Sequence, residues 1–133
     1  MIEIYSFGYK NKVFKHFSDA LKEKDIRCLI DTRFNPHCFS PFWKKKTLES
    51  YTPIYDIDYY HIQELGNTRY FEDGEINIKD LNCGIDQIKD IADDWECDKI
   101  CLLCTCENFD TCHNKIIVEE LVKDKNFKYK GRI

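Results

Sequence analysis

The sequence lacks a basic excess: 20 Lys and Arg stand against 24 Asp and Glu, a formal net charge of −4. That excludes a broad nucleic-acid-binding face, which needs clustered positive charge. No run approaches the ~18 apolar residues of a membrane span. The start, Met1-Ile2-Glu3-Ile4-Tyr5, has neither the basic residues nor the apolar stretch of a secretory signal. No membrane association and a cytoplasmic home are therefore expected. Internal repeats and low-complexity linkers are missing too. A chain of 133 residues is too short for two ordinary domains, so one domain over residues 1–133 is expected. Oligomeric state has no signature here.

What is present is apolar and aromatic. The chain is 43% hydrophobic, with nine Phe, eight Tyr and two Trp, enough for a packed aromatic core. Eight cysteines would suggest disulfides in a secreted chain, but a cytoplasmic one keeps them as thiols. Cys28 and Cys101 lie within apolar runs, where Cys acts as a small hydrophobe. Two basic groups, Lys44 to Lys46 and the tail from Lys123 to Arg132, read as solvated faces.

Apolar runs and amphipathic stretches alternate. Ile2–Phe7, Ile26–Thr32, Tyr59–Ile62, Lys99–Thr105 and Phe127–Arg132 read as strands. Val13–Lys24, Lys46–Tyr51, a stripe from Ile85 to Trp95, and Asp110–Lys123 read as helices. Asp110 or Thr111 is the expected cap of the last helix. Residues 33–45 and 66–80 read as loops. This pattern predicts an α/β fold: a single three-layer domain with a mainly parallel sheet of about four or five strands and helices on both faces.

Unusual polar residues follow the strands, and in a parallel sheet those ends share the carboxyl edge, where such folds bind ligands. Gly8, Tyr9 and Lys10 follow the first strand. Asp31, Arg33, Asn35 and Pro36 end the second. His61, Glu64, Gly66 and Asn67 end the third, and Cys104, Cys106, Cys112 and His113 follow the fourth.

Asp31 and Arg33 alternate onto one side of their strand. Arg suits phosphate or carboxylate, and Asp suits proton transfer; the same two residues also suit an internal ion pair. Cys112 at a helix start is a candidate thiolate nucleophile, or a thiol packed under the turn. Adjacent helical residues point about 100° apart, so the partner of His113 is expected from another strand end. The Cys-x-Cys and adjacent Cys-His spacing fits zinc poorly, so no cofactor is expected, zinc being the one metal considered. Cys104 reads as strand core. Phe39, Phe42 and Trp43 suit either base stacking or a flap tucked onto the domain, and His37 and Cys38 in the same loop line a pocket at most.

Four motifs resemble one family in order. Ile4-Tyr5-Ser6-Phe7-Gly8-Tyr9-Lys10-Asn11 resembles its opening Thr-Ile-Gly-His-Ser-Asn, and Asp31-Thr32-Arg33-Phe34-Asn35-Pro36 its Asp-Val-Arg-x-x-Pro. Tyr59 to Asn67 resembles Tyr-x-His-x-x-x-Leu-Gly-Gly. Leu103-Cys104 through Cys112-His113-Asn114 resembles Leu-x-Cys, seven residues, Cys-His-Arg. Together they are similar to the domain of unknown function 488 family. The resemblance implies one α/β domain with a pocket at these motifs and no settled reaction. Tyr9, Asn67 and Asn114 depart from the family His, Gly and Arg.

The expected function is a small enzyme acting on a nucleotide-like or other anionic substrate, or on a nucleic-acid end. Asp31, Arg33, Glu64, Cys112 and His113 are its candidate catalytic residues. Gly8, Tyr9, Lys10, Asn35, Pro36, His61, Gly66, Asn67 and Cys106 are its candidate ligand-binding residues. A non-catalytic ligand or nucleic-acid sensor is the second reading, and a metal- or redox-responsive cysteine domain the third.

Overall fold

Strands rich in Ile, Leu and Cys need cover on both faces, and the chain supplies it with helices between them. A computed structural model describes residues 1–36, 41–69, 76–93 and 97–133. Its sheet holds β1 (Ile2–Gly8), β2 (Cys28–Asp31), β3 (Asp58–His61), β4 (Lys99–Cys104) and β5 (Phe127–Arg132). The strand order is β3-β2-β4-β1-β5, with every pair parallel. The helices are α1 (Phe14–Glu23), α2 (Lys45–Tyr51), α3 (Leu81–Ala92) and α4 (His113–Leu121). The α/β expectation holds. Among the described residues no helix is long and apolar enough to cross a membrane.

Handedness explains the layers. From β1 to β2 to β3 the chain steps one way across the sheet; from β3 to β4 to β5 it steps back. Right-handed crossovers then put α1 and α2 on one face and α3 and α4 on the other. The two cores agree. Phe7, Leu29 and Leu103 pack with Phe17 and Leu21 of α1 and Leu48 of α2. Ile4, Ile30 and Leu102 pack with Ile85 and Ile88 of α3 and Ile117 and Leu121 of α4. Strand β4 lies between β2 and β1, whose following helices leave to the opposite face from its own. Both of its flanks are therefore reversal points at the carboxyl edge.

Local details differ from the expected ones. The last helix begins at His113, not Asp110. Asn108 accepts from the Asp110 amide and holds a separate 3-10 turn, Phe109–Thr111, so the chain bends again and Cys112 becomes the cap. Cys28 and Cys97 form a disulfide, correcting the expectation of thiols throughout. It closes a separation of 69 residues, worth roughly 4 kcal/mol in the chain-entropy view. Trp95, Phe39, His37 and Cys38 lie outside the described residues.

Candidate active site

Strand alternation sorts the polar residues of the carboxyl edge into two groups. Asp31 shares a face with Leu29, on the α1/α2 side; Thr32 points the other way, toward α4. Asp31 and Cys112, expected around one pocket, therefore belong to different faces of the sheet.

On the α1/α2 side Asp31 is fully buried and Arg33 nearly so. The Arg33 Nε and Nη2 donate to the two Asp31 carboxylate oxygens at 2.8 and 2.6 Å, and Nη1 donates to the Trp43 carbonyl at 2.6 Å. Tyr59 donates its hydroxyl to Asp31, and the Tyr9 ring lies over the guanidinium at 5.3 Å. Burial would lower the Arg33 pKa, but Asp31 outweighs it and the net shift is upward. Burial raises the Tyr59 pKa, with the Asp31 charge adding to it. Arg33 spends its fork inside the protein. Of the two readings of this pair, the contacts are those of an internal ion pair.

The neighbours extend that scaffold. Tyr9 stacks on Trp43 at 4.8 Å, and Trp43 is buried against Phe7, Phe14 and Phe17. Trp43 is thus the tucked flap, whereas Phe42 stays exposed. His61 donates to the Arg33 carbonyl at 2.7 Å. Gly66 has no room for a side chain, since a Cβ would fall 2.3 Å from the Phe34 Cα. Asn67 accepts from the Arg69 and Asn77 amides and so joins those two residues. Pro36 accepts from the Lys45 amide, while Asn35 and Lys10 are exposed. The Glu64 pKa is lowered by its own backbone amide and by Gln87 of α3.

On the α4 side the thiols converge. Cys104 ends β4 and Cys112 caps α4, and their sulfurs lie 3.0 Å apart. The Asn114 amide donates to Cys112 Sγ at 3.4 Å, the capping bond of the helix. His113 Nε2 lies 2.9 Å from the Thr32 carbonyl, which can only accept, so Nε2 carries a proton. Its Nδ1 is left toward Cys112 Sγ at 3.9 Å. Asn114 is fully buried, accepts from Thr32 Oγ1 at 2.6 Å and donates to the Leu102 carbonyl. From β5, Arg132 reaches Cys104 Sγ at 3.7 Å and the Cys106 carbonyl at 2.8 Å. A register shift at Ile4/Tyr5, with Gly131 at φ 120°, sets Arg132 opposite Ser6 and under the thiols. Gly8 completes the floor: a Cβ there would fall 1.6 Å from the Cys106 carbonyl oxygen.

These contacts separate the thiols. Hydrogen bonds from Cys104 and Cys106 depress the Cys112 pKa strongly, against burial and with help from His113. Burial alone lowers the His113 pKa, but Cys106 and Cys112 outweigh it and lift it to about 10. The two shifts run in the directions that favour a thiolate at Cys112 and an imidazolium at His113. Burial pushes Cys104 the other way, well above a normal thiol, so it keeps its proton. Cys104 is a fully buried strand residue, as expected, and its sulfur also meets that of Cys112 and the Arg132 guanidinium.

The sulfurs of Cys104, Cys106 and Cys112 lie within 4.8 Å of one another. Two thiolates on a tetrahedral zinc at about 2.3 Å stand about 3.8 Å apart. Cys104 and Cys112, at 3.0 Å, stand closer together than that. Cys28 and Cys97, also near Asp58, are occupied by their own disulfide. Two cavities, of about 540 and 110 Å³, open at the amino edge around Arg27 and Asp56. Neither is lined by a thiol or by His113.

Sequence reasoning missed Thr32, Tyr59 and Arg132 as site residues, and named Asn114 only as a departure from the family Arg. Tyr59 had a signal, since alternation puts it on the face of His61. No curated protein and no solved structure matches the chain. The model of the family described as "Domain of unknown function DUF488" matches residues 13–121, and the chain belongs to that family.

Proposed function

We propose that the chain is a small thiol-dependent enzyme with Cys112 as its nucleophile. The observation that carries this is the seating of one sulfur at the N-terminus of α4, with the Asn114 amide and the His113 imidazole both directed at it. A helix N-terminus and an imidazolium each favour thiolate over thiol, and thiolate is the attacking form. Cys112 is 1% exposed, so the reactant must be compact. Negative charge on the reactant or its leaving group meets His113 and Arg132, which takes over the anion-holding role first expected of Arg33. Thr32 and Asn114 hold the imidazole and the helix start in place. A cytoplasmic setting belongs to the same proposal, with the Cys28–Cys97 disulfide, both of whose residues are fully buried, shielded there from reductants.

Selective alkylation tests it. The folded chain is treated with limiting iodoacetamide at neutral pH, and the modified cysteines are located by peptide mass spectrometry. Cys112 is expected to react first, ahead of the exposed Cys83. Equal, slow reaction of all free thiols would sink the reading.

A further inference from the structure

Resting on Cys112 as nucleophile, we propose that its reactant is a small hydroperoxide and that Cys104 is the resolving thiol, the two closing a reversible disulfide. The geometry is nearly that of the product. The sulfurs are 3.0 Å apart and need to approach by about 1 Å to reach the ~2.05 Å of a disulfide. The two residues bracket one short excursion, from the end of β4 to the start of α4, so closing it needs no change in the sheet. Other cysteines are less suited. Cys101 faces the α1/α2 core, and Cys28 and Cys97 are already joined. Cys83 is exposed on α3, and among the described residues Cys106, half-buried in the same cluster, is the one competitor.

Burial selects the oxidant. With Cys112 1% and Cys104 0% exposed, a peptide-sized disulfide has no access, whereas hydrogen peroxide is scarcely larger than water. Cys112 thiolate attacks one peroxide oxygen, the O–O bond breaks, and Cys112 becomes a sulfenic acid. The departing oxygen takes the imidazolium proton from His113 and leaves as water or an alcohol. Cys104 then attacks the Cys112 sulfur, forming the S–S bond and breaking S–O. The hydroxyl leaves with the Cys104 proton as water. Two thiol-level sulfurs are oxidised by two electrons in all, and one peroxide is reduced. Arg132, 3.7 Å from Cys104 Sγ, favours the thiolate character Cys104 needs as it attacks.

The test uses the full chain, treated with equimolar hydrogen peroxide, blocked with N-ethylmaleimide and mapped without reduction by mass spectrometry. A Cys104–Cys112 crosslink, reversed by dithiothreitol, is expected beside Cys28–Cys97. Cys104→Ser should lose that crosslink and accumulate sulfenic acid at Cys112, trapped at several times the wild-type level by dimedone added together with denaturant. A Cys106–Cys112 crosslink, or dimedone trapping unchanged by Cys104→Ser, would overturn the assignment. So would stoichiometric zinc shielding all three thiols in chain purified without chelator. If Cys112 alkylates selectively yet peroxide leaves it a thiol, this inference fails and the nucleophile reading stands. If it does not alkylate selectively, the nucleophile reading itself fails.

Discussion

Replacing Asp31 by Asn separates a structural carboxylate from a catalytic one. The change keeps shape and removes charge, leaving the Arg33 guanidinium, 5% exposed, without its counter-ion. Removing one member of a buried pair costs about 3–5 kcal/mol, because the remaining charge cannot return to water. For 133 residues the unfolding entropy is about 0.28 kcal/mol/K. The midpoint of thermal unfolding, followed by circular dichroism, should therefore fall by about 11–18 °C. Arg33→Met should cost a similar amount, since it strands Asp31 with Tyr59 as its remaining side-chain partner among the described residues. The double variant should lose less than the two singles together, by about 0.5–3 kcal/mol of coupling. A midpoint shift below about 4 °C for Asp31→Asn, or strict additivity, would refute the ion-pair account and return Asp31 to the chemistry.

Two further outcomes follow from the thiol side. Stability should be flat-topped in pH, measured as the difference in unfolding free energy between wild type and a Cys112→Ser, His113→Gln double variant, which removes both titrations. Between 6.5 and 9.0, the ordinary values for His and Cys, folded and unfolded states hold the same number of protons on the pair. Below 6.5 the unfolded imidazole gains a proton that the folded one already carries, while the folded thiolate stays bare; stability then falls by about 1.4 kcal/mol per pH unit as pH drops. Above 9.0 the unfolded thiol loses its proton while His113 keeps its own up to about 10, so stability falls again as pH rises. A monotonic difference curve would contradict the pair. Separately, Gly8→Ala must push the backbone at Cys106 aside, because the clash is with a carbonyl oxygen and not a flexible side chain. It should cost about 1–3 kcal/mol and slow Cys112 alkylation; an unchanged rate and midpoint would show that this floor does not hold the thiols.

The strands and helices were legible because apolar periodicity reports burial directly. Ile100 to Leu103 reads as a strand covered on both faces, and it is one. Alternation also placed Asp31 and Arg33 together. What it could not say is which face they share with Cys112, since that depends on the reversal at β4, a matter of strand order. The expected cap at Asp110 or Thr111 failed on a local competition: Asn108 captured the Asp110 amide first. Thr32 was passed over, and Asn114 read only as a departure from the family Arg, because a hydroxyl and an amide are unremarkable until a buried imidazole needs them. Arg132 lay in a tail that reads as solvated charge, and only the bulge at Gly131 brings it under the thiols. Cys28 looked like strand core, and nothing in the spacing announced Cys97 as its partner.

The central claim is that Cys112 is a thiolate at neutral pH, and its pH–rate profile tests that most directly. The rate of Cys112 carboxamidomethylation, normalised to a small free thiol in solution, is followed from pH 5 to 9 by mass spectrometry. Burial lowers the rate at every pH alike and leaves the shape of the profile intact. The profile should be nearly level across this range, because the thiolate fraction is already complete. A rate that climbs about tenfold per unit up to a midpoint near 8.5, as for an ordinary thiol, would contradict the claim.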